Sequence, residues 1–218
     1  MKLLSTLLAA AALAMSAQAS AEVNLLRNGS FEEVQIPSNS TWRIYNSGST
    51  GIPGWTVLGA DTQLTRTEFV PAAHGNQWID LTGIYGYNKG LLSDGFATEA
   101  GKRYTVSFDL GDFHAQGFRT ATLALTVNNQ PRQLFTNIYE GGIMDWERKS
   151  YTFTADSNIT RLSFLGVENG SLSNNAVIGL DNVVVNAAPV PEAETYAMML
   201  AGLAGLGLLT RRKQNQSI

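Results

Sequence analysis

The chain has 218 residues, a net charge of −3, no cysteine and 21 glycines. The missing cysteines exclude a thiolate metal site, a cysteine nucleophile and disulfide bracing. The basic residues are scattered, which excludes the clustered positive charge of a nucleic-acid-binding surface.

The N-terminus reads as a secretory signal peptide over residues 1–21. Met1-Lys2 is the positive start, Leu3 to Met15 is the apolar run, and Ala17-Gln18-Ala19 and Ala19-Ser20-Ala21 are small-x-small cleavage sites. Residues 22–187 then have the size of one domain, long enough to bury a proper core.

That domain reads as strands and turns. Val23 to Leu26 is a short apolar run closed by the turn Asn28-Gly29. Residues 34–54 read as a long loop carrying Trp42 and Tyr45. Pro53-Gly54 turns into a strand, Trp55 to Leu58, and further strands are expected at Thr65 to Val70, Gln77 to Leu81 and Leu91 to Thr98. Residues 83–90 form a second loop, with Tyr85, Tyr87 and Asn88.

Arg103 to Leu110 alternates most cleanly, with Tyr104, Val106, Phe108 and Leu110 on one face and Arg103, Thr105, Ser107 and Asp109 on the other. A period of two marks a half-buried antiparallel strand. Thr120 to Val127 repeats the pattern, and Asn128-Asn129 turns into Arg132 to Thr136. Glu147 to Ala155, Ile159 to Val167 and Val177 to Val185 complete the set. The last changes parity near Asp181, which calls for a bulge or burial on both faces. About ten short strands with no amphipathic helix between them predict an all-β sandwich with the long loops at its rim.

After Val185 a linker leads to residues 188–213. The order there is Val190-Pro191-Glu192, an uncharged run from Tyr196 to Leu209, and Arg211-Arg212-Lys213. As a helix that run is about 21 Å long, shorter than the roughly 30 Å hydrocarbon core, so it holds the chain in a membrane only marginally, with the basic cluster on the cytoplasmic side. The small residues Ala201, Gly202, Ala204, Gly205 and Gly207 suit close helix approach in lipid.

This tail resembles the PEP-CTERM sorting signal of exported bacterial proteins. The resemblance implies an exosortase-like membrane enzyme as partner. It also implies inner-membrane tethering during processing, then release to the cell surface or extracellular matrix of a Gram-negative bacterium. Ala193 stands where the motif usually has a second proline, which bears on cleavage.

Five phrases occur in order in the domain: N-L-L-R-N-G-S-F-E (24–32), P-G-W (53–55), G-x-R-Y-x-V-S-F-D-L (101–110), W-x-x-x-x-Y-x-F-x-A (146–155) and L-D-N-V-V-V (180–185). Together they resemble the galactose-binding-like jelly rolls. That superfamily includes many carbohydrate-binding modules and a family of unknown function found in plant cell-wall and bacterial exported proteins. The resemblance implies a jelly-roll β-sandwich whose first and last strands lie together and share a structural calcium, with Glu32 and Asp181 in the carboxylate positions. The alternative is that Glu32 caps backbone amides and Asp181 sits in a bulge with no metal.

No catalytic constellation stands out. His74 and His114 lie far apart, and neither H-E-x-x-H, G-x-S-x-G nor a P-loop occurs. Asp109, Asp112, Asp145 and Glu147 are acids of the type a glycosidase pairs, but the sequence does not place them. A sugar site needs an aromatic platform and planar polar groups. Trp55, Trp78 and Trp146 lie in alternating strands and read as core. Trp42, Tyr45, Tyr85, Tyr87 and Asn88, with Arg103 and Asp109 on the outward face, are the candidate ligand residues. The expected function is polysaccharide binding without catalysis. The alternatives are a structural matrix protein and, less favoured, a carbohydrate-active enzyme.

Overall fold

The computed structural model describes residues 23–83, 89–113, 120–138, 141–167 and 177–188. The expected signal peptide and the sorting tail from Val190 onward lie outside the described residues, as do Tyr85, Tyr87 and Asn88. Every regular element among the described residues is a strand.

In chain order the strands are β1 (Trp42–Asn46), β2 (Trp55–Leu58), β3 (Asp61–Arg66), β4 (Gln77–Asp80), β5 (Gly90–Ser93), β6 (Phe96–Ala97), β7 (Arg103–Phe113), β8 (Thr120–Val127), β9 (Gln133–Ile138), β10 (Asp145–Thr154), β11 (Ile159–Thr160), β12 (Leu162–Gly166) and β13 (Val177–Ala187). Among these residues a six-stranded sheet, β1-β3-β4-β13-β7-β10, faces a five-stranded sheet, β2-β5-β12-β8-β9, and β6 and β11 form a small ribbon. All the pairings are antiparallel.

The alternation expected for β7 holds. Tyr104, Val106, Phe108 and Leu110 are buried against Ala121, Leu123, Leu125 and Val127 of β8 in one core cluster. Aromatic rings fill its centre. Trp55 lies 5.4 Å from Phe31 and 6.0 Å from Phe164, and Phe108 lies 5.3 Å from Phe164, centroid to centroid. Tilted and edge-on contacts of this kind add to the area each ring buries.

The segment before β1 packs on β13. Leu25 donates to the Val185 carbonyl at 2.9 Å, and Val183 donates to Gly29 at 2.8 Å. A Cβ on Gly29 would collide with the Val183 carbonyl, so the N-G turn needs its glycine for close backbone approach. The first and last segments therefore lie together, as expected. The parity change in β13 is a bulge. Asp181 pairs with Asp109 and Val184 with Ser107, so β13 spends one extra residue there, with Asn182 at a φ of 50°.

The structure differs from expectation in three places. Residues 42–46 form an edge strand and not loop, because β3 offers them a full antiparallel ladder from Thr65 to Asp61. The strand expected at 65–70 runs instead from Asp61 to Arg66, where the Phe69 and Val70 amides turn back onto the Arg66 carbonyl. The strands expected at 91–98 and 159–167 each split in two, one part in the five-stranded sheet and one in the ribbon. The inward side changes between Ser93 and Phe96, a parity switch that a strand without a bulge does not make.

Candidate functional site

The outer face of the six-stranded sheet carries Trp42, Arg103, Asp109 and Asp181 among the residues singled out from the sequence. Leu64 and Tyr45 point into the core, so their neighbours Trp42, Ile44, Gln63 and Thr65 point out. Trp42 stands directly across from Thr65 and is 44% exposed, against 1% for Trp55 and 2% for Trp78.

Tyr45 is a correction. It was expected on an exposed rim, and it is 5% exposed and belongs to the core. The Arg43 guanidinium lies over its ring at 5.1 Å, and Gly51 leaves room for it, since a Cβ there would sit 2.7 Å from the ring. Burial pushes the Tyr45 hydroxyl above its ordinary pKa. The residue was misplaced because its segment was read as loop; as a strand residue across from Thr62, on the same side of the sheet as Leu64, it faces inward.

Glu32 and Asp181 brace one loop between β3 and β4. Glu32 Oε1 accepts from the Asn76 amide at 2.7 Å and the Gln77 amide at 2.8 Å. Asp181 Oδ2 accepts from the His74 amide at 2.8 Å, and Oδ1 from the Asn182 amide at 2.6 Å. Burial, helped by the Asp109 charge and opposed by these amides, pushes Asp181 up to about 7. Calcium takes six to eight oxygens as ligands. Three of the oxygens on these two side chains instead receive N–H groups, whose positive ends repel a cation. Among the described residues no group of three or more histidine, aspartate or glutamate side chains is arranged to hold a metal ion. The geometry shown for these two side chains is Glu32 capping backbone amides and Asp181 at the bulge.

Arg103 and Asp109 are not brought together. Arg103 is exposed at the start of β7. Asp109, six residues on and roughly 20 Å away at the rise of a strand, pairs with Arg148 at 3.2 Å and accepts from Asn182 Nδ2 at 2.9 Å. Arg148 also donates to the Asn182 carbonyl at 2.8 Å and to Ser107 at 2.7 Å. Asp109 thus locks the bulge.

The structure adds Asp61, Asp80, Thr82 and Lys89, to which no motif pointed. Residues 84–88 are flanked by a buried polar frame. Lys89 Nζ meets Asp61 Oδ1 at 2.7 Å, and Asp80 accepts from the Thr82 amide at 2.7 Å and from the Thr82 hydroxyl. Burial pushes Asp80 up to about 6. Beside it, Trp146 lies over Gly111 and Gly179, where a Cβ on either would come 2.7 Å from the indole. Trp146 also donates to the Pro71 carbonyl at 2.9 Å and meets Trp78 edge-on at 5.8 Å. Trp78 donates to Val70 at 2.9 Å. The stretch 70–77 is thereby pinned over this sheet. A signal for the cradle was present in the sequence: glycine at one outward position in each of two strands, next to a tryptophan strand.

Comparison with known proteins places this geometry. The model described as protein of unknown function (DUF642) matches residues 24–186, and the PEP-CTERM protein-sorting motif matches residues 189–213. The motif marks an exported protein with a C-terminal sorting signal. Halomucin of Haloquadratum walsbyi is 26% identical over 190 residues, covering 86% of this chain and 2% of that protein. The chain therefore spans only a small fraction of that relative.

A cyclase from Fischerella sp. TAU, solved with 4-(1H-indol-3-yl)butan-2-one, is 16% identical with a TM-score of 0.53, covering 78% of this chain and 100% of that one. TmCBM61, solved with β-1,4-galactotriose, is 14% identical with a TM-score of 0.42, covering 76% and 99%. The fold, shared with that cyclase, is an antiparallel two-sheet β-sandwich. By its match over residues 24–186, the chain belongs to the DUF642 family.

Proposed function

We propose that this exported protein is processed through its tail by an exosortase-type membrane enzyme and binds polysaccharide at the cell surface or in the extracellular matrix of a Gram-negative bacterium, without acting on it chemically. The observation that carries the binding reading is Trp42. A tryptophan left 44% exposed on an edge strand offers a flat apolar surface of the kind that stacks on a pyranose face.

Gln63, on the neighbouring strand and the same outward face, is half-buried and donates to Thr65 Oγ1 at 3.0 Å. That leaves its carbonyl to accept from a sugar hydroxyl. Asn46, at the other end of β1, pairs with Asp61, the residue that anchors Lys89 at the flank of residues 84–88.

The test is retention of the protein on a panel of immobilised bacterial exopolysaccharides and plant glycans, with calcium and with chelator. The expected outcome is retention by at least one glycan that falls at least about tenfold in Trp42→Ala and further in the double variant with Tyr85→Ala. Retention by none, with the protein folded, contradicts the reading and favours a structural matrix protein.

A further inference from the structure

The outer face of the other sheet carries a groove of about 570 Å³, within the range of small-molecule clefts. Its floor is a row of three side chains across three strands. Ser163 of β12 pairs directly with Leu92 of β5 and with Thr126 of β8, and all three are half-buried. Their chain neighbours Leu91, Leu125, Leu162 and Phe164 fill the core, so the row faces outward.

One wall is built from two turns that a single asparagine joins. Asn128, held at a φ of 46°, donates through Nδ2 to Asp156 at 2.7 Å and accepts at Oδ1 from the Arg161 amide at 2.8 Å. Ser157 closes the second turn on the Ile159 carbonyl at 2.7 Å. Asp156 is thereby turned toward Asn128 and Ser157. Ile159 stands at the mouth, 61% exposed.

Three polar groups of the groove are left over. The Arg161 guanidinium is exposed, and among the described residues it makes no hydrogen bond or ion pair. The hydroxyls of Ser163 and Thr126 likewise have no protein partner among those residues. A fixed wall, two spare hydroxyls, one spare guanidinium and apolar contact from Leu92 and Ile159 define a ligand of mixed character. It has hydroxyls, an apolar ring face and one carboxylate, because a guanidinium takes a carboxylate in a two-bond, charge-assisted pair.

We propose that this groove binds an acidic sugar unit, a uronate within a polysaccharide chain. Arg161 takes the carboxylate, Ser163 and Thr126 take ring hydroxyls, and Leu92 and Ile159 meet the apolar ring face. The inference rests on the reading of the domain as polysaccharide-binding. It adds a second site on the opposite sheet from Trp42, so one domain contacts two glycan chains and links them.

The test is an equilibrium titration of the full chain, in a detergent without a sugar head group, with a β-1,4-linked mannuronate hexamer and with the matching mannose hexamer. The two differ only at the C6 carboxylates. The expected result is that the mannuronate binds, weakens about tenfold or more in Arg161→Ala, and is lost in Ser163→Leu, which fills the floor. Mannose hexamer binds no more tightly than mannuronate does to Arg161→Ala. Absence of mannuronate binding by the wild type overturns the proposal. So does equal affinity for both hexamers, or full affinity in Arg161→Ala. Mannuronate binding lost in Trp42→Ala and kept in Arg161→Ala overturns the groove while supporting the edge-strand site. Groove binding with no glycan sensitive to Trp42 overturns the edge-strand site alone.

Discussion

The two outer sheet faces of this sandwich treat their polar groups in opposite ways. On the six-stranded face Asp181, Asp109, Arg148 and Asn182 are spent on one another and on backbone amides, and the stretch 70–77 covers Trp78. On the five-stranded face Arg161, Ser163 and Thr126 keep their polar atoms free of protein partners among the described residues. The same residue types thus brace a fold on one side and present a surface on the other. Exposure of Trp42 at the margin of the braced face is the exception that makes it a candidate for binding.

That contrast can be broken most severely at Trp78. Trp78→Ala removes the ring that pins the covering stretch and is expected to cost about 3–5 kcal/mol, measured by urea unfolding. A loss below 1 kcal/mol would mean the face is not closed by this ring. Glu32→Ala comes next, because it leaves the Asn76 and Gln77 amides without their acceptor. The expected loss is about 1–3 kcal/mol. Chelator is expected to leave the wild-type melting temperature unchanged, since those oxygens serve amides; a clear fall would restore calcium to this site.

A subtler test uses pH. Asp181 titrates at about 7 in the fold, raised from 3.8, so between these values the folded chain holds more protons than the unfolded one. Its contribution is greatest at low pH and is lost as pH rises through that window. Asp80, raised to about 6, acts in the same direction over a narrower range. Asp181→Asn removes the first of these. Its melting temperature is expected to gain on the wild type between pH 5 and pH 8, and parallel curves would contradict the assignment. Smallest for stability is Trp42→Ala, expected within about 0.5 kcal/mol of wild type while glycan retention falls.

Most of the sandwich was legible because alternation reports burial directly. Tyr104 to Leu110 and Ala121 to Val127 each placed every second residue in the core, as the structure has them. The parity change at Asp181 called for a bulge or burial on both faces, and the structure has the bulge, which keeps Ile178, Leu180, Val183 and Val185 all inward. β1 was missed because W-R-I-Y-N is short and lies within a Ser-, Asn- and Gly-rich stretch that reads as loop; its strand character comes from the β3 ladder, a contact across sequence. That one error misplaced Tyr45. The groove was out of reach for a related reason. The turns at 128–129 and 156–158 were each visible, but only the fold joins them through Asn128 to Asp156.

The central claim, that Trp42 is a glycan platform, is tested most directly by the indole N–H signals of the 15N-labelled protein. The chain has four tryptophans, and Trp55, Trp78 and Trp146 each hold their indole N–H on a backbone carbonyl. On titration with a glycan that the protein retains, the Trp42 signal is expected to move with ligand concentration while those of Trp55 and Trp78 stay fixed. A Trp42 signal that stays unmoved by every retained glycan would contradict the account.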